Sequence, residues 1–145
     1  MTAEFTLAAV FDAVDPLTGP EFHEDHPVIE DAAEREALVG YLASAALVLM
    51  TPSLMDDVLD PERAGAVPMD YRCDGRWIWT DTVTYYLDRY GLEPDPGLLA
   101  HVRERVAAGA GPEELAPDVQ ERAVEYLLAP PAAGQETVWE VTEGA

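Results

Sequence analysis

Tyr71-Arg72-Cys73-Asp74-Gly75-Arg76-Trp77-Ile78-Trp79-Thr80-Asp81 decides how this chain folds. An Asp-Gly pair between two apolar runs readily supplies the two positive φ angles of a type I′ turn, so residues 67–73 and 76–79 are expected to pair as a β-hairpin. Alternation along the second run puts Trp77 and Trp79 on one face and Ile78 on the other. Thr80 or Asp81 then caps a helix from Thr82 to Tyr90, in which Val83, Tyr86, Leu87 and Tyr90 recur at helical spacing. Gly91 provides its left-handed stop.

Working outward, Asp95-Pro96 has the chemistry of an N-cap and first helical residue, and opens a helix carrying Leu98, Leu99, Val102 and Val106 that ends at Gly109. Another helix is expected from Pro117-Asp118, burying Val119, Ala123, Val124, Leu127 and Leu128, with Pro130-Pro131 as its stop. Beyond it, Thr137 to Val141 has the pattern of a strand. Toward the N-terminus, Asp31 caps a helix expected to run to about Met50, with almost no polar face in its second half, which implies burial on most sides. Ser53 is placed to cap a short helix over Leu54 to Leu59. Glu4 to Val14 fits a strand or a helix equally well. Asp15-Pro16-Leu17-Thr18-Gly19-Pro20 then breaks regular structure and leads into an exposed acidic loop. The fold class is α+β and mostly helical, with four or five helices and a small antiparallel hairpin or sheet. A chain of 145 residues is of one-domain size: an acidic segment and loop over residues 1–30, a helical core over 31–129 with the hairpin at 67–79, and a tail over 130–145.

Charge is the dominant compositional signal. There are 29 Asp and Glu against eight basic residues, for a net charge of −21. All the basic residues are Arg. Residues 1–62 carry −13, residues 63–92 are neutral and residues 93–145 carry −8. The neutral stretch also holds Trp77, Trp79, Tyr71, Tyr85, Tyr86 and Tyr90, which suits either core packing or an interface rimmed with acids. A field of this sign repels nucleic-acid phosphates and anionic lipid unless a local basic patch or a metal intervenes, and it favours a cationic protein partner. Solubility, or a salt-rich cytoplasm, explains the same acidity more simply. The expectation is a cytoplasmic protein. The lone Cys73 has no disulfide partner, Met1-Thr2-Ala3-Glu4-Phe5 lacks a basic export region, and the apolar run from Ala37 to Met50 is too short to span a bilayer.

Few residues carry a chemical signature. His23-Glu24-Asp25-His26, with Asp12, Asp15 and Glu21 nearby, offers metal-donor types, but Pro20 and Pro27 bracket it as a loop, so no metal and no cofactor is expected. His101 has no partner at dyad spacing and is expected to be partly buried and hydrogen-bonded. Cys73 beside Asp74 is a poor nucleophile, because a negative neighbour raises a thiol's pKa. Carboxylate pairs are too common to mark a catalytic site, and no phosphate loop, nucleophile elbow or zinc signature is present, so catalytic residues are not assigned.

The run from Tyr71 to Asp81, continued by Thr84-Tyr85-Tyr86-Leu87, Tyr90-Gly91-Leu92-Glu93-Pro94 and Leu98-Leu99-Ala100-His101-Val102, resembles a recurring block in uncharacterised small acidic actinobacterial proteins. No catalytic residue comes with that block. The acidic, motif-poor character is in addition similar to immunity proteins that neutralise toxins in bacterial competition. The resulting expectation is an immunity- or antitoxin-like module that blocks a basic protein by presenting Glu21, Glu24, Asp25, Glu30, Asp31, Glu34, Asp56, Asp57 and Asp60. The alternative is a small metabolic or biosynthetic enzyme, or an accessory subunit, with a ligand pocket formed by Trp77, Trp79, Tyr85, Tyr86 and His101. The sequence does not indicate an oligomeric state.

Overall fold

The computed structural model describes residues 5–17 and 19–128. Its central sheet has the strand order β1-β6-β5-β4, from Thr6–Leu7 (β1), Trp77–Thr80 (β6), Tyr71–Cys73 (β5) and Ala46–Leu49 (β4). Ala13–Asp15 (β2) and Gly19–Glu21 (β3) form a separate antiparallel pair. The helices are Ala32–Ser44 (α1), Asp81–Tyr90 (α2), Pro96–Ala107 (α3) and Pro117–Leu128 (α4). The fold is therefore α+β with four helices among the described residues, but it is not predominantly helical. Its main sheet is mixed, since β1 runs parallel to β6 while β4, β5 and β6 are antiparallel. The expected strand over residues 137–141 lies outside the described residues. No helix among those residues is long and apolar enough to cross a membrane.

Two expectations in the first half of the chain are corrected. The helix that starts at Asp31 stops at Ser44, where Ala45 turns extended, and Ala46–Leu49 pairs with β5 instead of continuing the helix. An apolar run without a polar face suits a buried strand as well as a buried helix, and here Val48 is buried beside Phe5, Cys73 and Ile78. The short helix over Leu54 to Leu59 does not form. That stretch is a loop, bridged by Met55 to Val67 through reciprocal backbone hydrogen bonds at 2.8 and 3.0 Å.

The deciding stretch behaves as its alternation requires. Trp79 is fully buried among Leu38, Leu42, Val83, Leu87, Leu98 and Val102, while Ile78 faces the opposite side of the sheet with Ala123 of α4. The sheet thus separates α1, α2 and α3 from α4. The indole Nε1–H of Trp79 donates to the Leu42 carbonyl at 3.2 Å, so the largest buried ring leaves no orphan donor. The turn itself differs from a type I′ turn. Gly75 has a positive φ of 100° but Asp74 does not. Instead the Asp74 side chain accepts the backbone N–H groups of Arg76 and Trp77 at 3.1 and 2.9 Å and closes the turn through its carboxylate.

Caps fix the remaining elements. Asp31 accepts from Ala33 and Glu34, and Asp95 accepts from Gly97, as their sequence context predicts. The second oxygen of Asp95 also takes the Ala9 N–H at 3.0 Å, tying the first strand's exit to the start of α3. Gly91 ends α2 in the left-handed region at φ 76°. A Cβ there would lie 2.6 Å from an Arg35 nitrogen and 3.1 Å from the Ile29 carbonyl oxygen. Gly91→Ala should therefore lose about 1–2 kcal/mol. Urea unfolding should show this as a lowered midpoint with an unchanged slope.

Candidate functional site

Two aspartates lie inside the fold, and each gathers a network. Asp57 is 2% exposed. Its Oδ2 accepts the hydroxyls of Tyr85 and Tyr90, both at 2.6 Å, and its Oδ1 accepts the N–H groups of Leu59 and Asp60 at 2.7 and 3.1 Å. Arg63 and Arg89 flank the cluster. Their Nε–H groups donate to Tyr85 and Tyr90 at 2.9 and 3.3 Å, and each guanidinium stands over the ring of the tyrosine it serves. Tyr86 lies between them in sequence and accepts the Val58 N–H at 3.0 Å. Burial pushes the Tyr86 hydroxyl up to about 12.

Asp74 anchors the second network. Its Oδ2 accepts the Tyr41 hydroxyl at 2.6 Å and lies 2.6 Å from His101 Nε2. A carboxylate only accepts, so His101 Nε2 is the donor in that bond. Burial and the bond to Asp74 both push the Tyr41 hydroxyl well above its ordinary value, while Arg105 opposes them. For both aspartates burial alone would raise the pKa. Tyrosine and backbone donors outweigh it and hold each carboxyl below its ordinary value, with His101 adding to the effect on Asp74.

The nine acids expected to face a partner are not equivalent. Glu21, Glu24, Asp25, Glu30 and Asp31 are exposed along the loop and the start of α1, with Asp31 also capping that helix. Glu34 is half-buried and takes both Nε and Nη2 of Arg103. Asp56 is exposed but receives the Gly65 N–H, and Asp60 is half-buried and receives the Glu62 N–H. Asp57 must be removed from a contact surface, because its carboxylate is enclosed by donors from its own chain.

The five residues of the alternative ligand pocket do not converge. Trp79 is sealed in the core, and Trp77 packs against Gly97, where a Cβ would come within 2.8 Å of the ring. Tyr86 lines a cavity of about 10 Å³ with Phe22 and Val10, space for roughly one water. Tyr85 lines a different, open groove of about 220 Å³ with Arg72, Asp81, Thr84 and Asp88. His101 is partly buried and hydrogen-bonded, as expected, but on Asp74 rather than on a ligand.

The His23–His26 stretch is also committed internally. His26 Nδ1 lies 2.8 and 3.0 Å from the Asp12 carboxylate, and its Nε2 lies 2.8 Å from the Glu93 carbonyl. The His23 N–H donates to Asp12 as well. These bonds pin the acidic loop to the body. Among the described residues no group of three or more His, Cys, Asp or Glu side chains is placed to hold a metal. Neither buried network was visible in the sequence, since Asp74 and His101 are 27 positions apart and Asp57 and Tyr90 33. The one clue was the concentration of tyrosine and arginine in the neutral segment.

Comparison with family models, curated proteins and solved structures finds no match.

The networks generate a stability prediction. Both carboxyls sit below their ordinary pKa in the folded state, so their contribution is complete above about pH 4 and is lost as pH falls through the folded-state value. Asp57→Ala would strand two tyrosine hydroxyls and the N–H groups of Leu59 and Asp60 and should cost about 3 kcal/mol or more, whereas the exposed Asp25→Ala should stay within about 0.5 kcal/mol. Urea unfolding at neutral pH measures both. In acid the deficit of the Asp57→Ala variant should shrink, because the wild type then loses the same interaction.

Proposed function

We propose that this protein is an acidic binding module for a cationic protein, immunity- or antitoxin-like in action, with the segment from Glu21 to Glu36 as its recognition surface. The carrying observation is the allocation of the arginines. Arg35 turns inward to the Ile29 carbonyl, Arg72 bonds Asp81 and the Ala45 carbonyl, and Arg105 bonds the Gly111 carbonyl. Arg63 and Arg89 serve the Asp57 cluster, Arg103 pairs with Glu34 and Arg122 with Asp118, and the eighth, Arg76, is exposed just after the β5–β6 turn. Glu21, Glu24, Asp25, Glu30 and Glu36 are exposed and have no arginine partner among the described residues. Their charge is left uncompensated at the surface. Val28, 46% exposed in their midst, adds an apolar contact.

A surface of this kind acts mainly on encounter and on partner choice. Steered association reaches roughly 10⁸–10⁹ M⁻¹s⁻¹ at low salt, against about 10⁵–10⁶ for neutral surfaces. Carboxylates held on a pinned loop would occupy the cleft where a basic nuclease or nucleotide-processing toxin holds its polyanionic substrate, and so block it. The loop's rigidity matters, because a floppy acidic segment would lose ordering entropy on binding.

The test combines partner capture from the native cytoplasm at low salt with association kinetics on the captured protein. The triple reversal Glu24→Lys/Asp25→Lys/Glu30→Lys should slow association by about tenfold or more and flatten its salt dependence. Reversal of Glu114, Glu121 and Glu125, which changes net charge equally, should have a much smaller effect. An on-rate insensitive to salt, or equal losses for the two triples, contradicts the proposal.

A further inference from the structure

Arg63 and Arg89 carry more hydrogen-bonding capacity than the Asp57 cluster can use. A carboxylate offers about four acceptor sites, and those of Asp57 are filled by Tyr85, Tyr90, Leu59 and Asp60. The two Nε atoms stand 4.0 Å from Asp57 Oδ2, beyond hydrogen-bond reach, so the arginines neutralise the carboxylate without bonding it. Each guanidinium commits only its Nε–H to a tyrosine hydroxyl. The Nη donors of both have no acceptor among the described residues, and the side chains are 38% and 41% exposed.

The pair is also close and held in place. Both Nε atoms lie 4.0 Å from one oxygen, so they are no further apart than twice that distance. Arg63 is fixed through its backbone, with its N–H on the Asp60 carbonyl at 3.0 Å and its own carbonyl on the Asp57 N–H at 3.2 Å. Arg89 sits in the last turn of α2. Two cations thus face one buried anion, with the acids Asp56, Asp60, Glu62 and Asp88 beside them in the chain.

We propose that Arg63 and Arg89 form a binding site for a phosphate dianion, as free phosphate or as the terminal group of a small phosphate monoester. Two guanidinium forks present more donors than a single carboxylate can accept, and the several oxygens of phosphate match them. Asp56, Glu62 and Asp88 are exposed and flank the pair along the chain, which disfavours an extended polyanion and leaves room for a compact one. The tyrosines pre-organise the forks, so little side-chain freedom is lost when the anion arrives. This site is independent of the acidic recognition surface, and failure of either proposal leaves the other standing.

The test is a titration of the ¹⁵N-labelled full chain, following the arginine Nε–Hε resonances, with inorganic phosphate, phenyl phosphate and acetate at constant ionic strength. The expected result is saturable shifts of Arg63 and Arg89 together, with phosphate and phenyl phosphate well ahead of acetate. Tighter binding of phenyl phosphate identifies an ester as the ligand, and equal affinity identifies the free ion. Arg63→Lys and Arg89→Lys keep the charge but remove a fork, and each should weaken binding about tenfold or more. Shifts that fail to saturate at tens of millimolar phosphate, shifts spread evenly over all the arginines, or acetate binding as well as phosphate would each overturn the site. The wild-type titration decides this even if a variant does not fold.

Discussion

A carboxylate taken out of water must have its acceptor sites filled, and this fold meets that requirement twice with tyrosine hydroxyls and backbone N–H groups. Asp74 closes the β5–β6 turn, receives Tyr41 from α1 and holds His101 of α3, so one buried oxygen pair joins the central hairpin of the sheet to two helices. Asp57 does the same for the loop between β4 and β5, fastening it to α2 through Tyr85 and Tyr90. The 51–70 stretch is held in addition by the Met55–Val67 bridge, the Val58 N–H on the Tyr86 hydroxyl, the Thr82 hydroxyl on the Pro68 carbonyl and the small cluster around Phe11, Val67 and Tyr86. Apolar burial sets the layers, with Trp79 on one side of the sheet and Ile78 on the other. The aspartates set which loops are locked onto them.

The same requirement shapes the surface. Eight arginines are few for a chain with 29 acids, and five of them, Arg35, Arg63, Arg72, Arg89 and Arg105, go to backbone carbonyls, to Asp81 and to the Asp57 cluster, while Arg103 and Arg122 pair with Glu34 and Asp118. Interior order and exterior charge are therefore one arrangement. Each guanidinium turned inward leaves another exposed acid without a counter-charge, most clearly along the loop that precedes α1. That loop is held by His26, bonded to Asp12 on one ring nitrogen and to the Glu93 carbonyl on the other.

Legibility in the sequence followed the range of the interactions. The alternation of Trp77, Ile78 and Trp79, the caps at Asp31 and Asp95 and the stop at Gly91 are local features, decided within a few residues, and they are legible from residue type and spacing. Ala46–Leu49 has the pattern of a helix as much as of a strand, because an unbroken apolar run has no period to reveal, and only the pairing with β5 distinguishes the two forms. The parallel pairing of β1 with β6 and the bonds from Asp57 to Tyr85 and Tyr90 span long separations that composition does not encode. Asp57 illustrates the cost. Beside Asp56 and Asp60 it looks like one more surface acid, and its role emerges only when α2 brings two hydroxyls to it. His101 was legible as a hydrogen-bonded residue but not as the partner of Asp74.

The central claim is that Asp57 and Asp74 are ionised inside the folded protein, held so by the donors around them. Side-chain ¹³C-carboxyl chemical shifts, followed as the folded protein is acidified, test it directly. Asp57 and Asp74 should remain in the carboxylate state below the ordinary aspartate pKa of about 3.9. Protonation of either buried carboxyl at or above that pH would contradict the account.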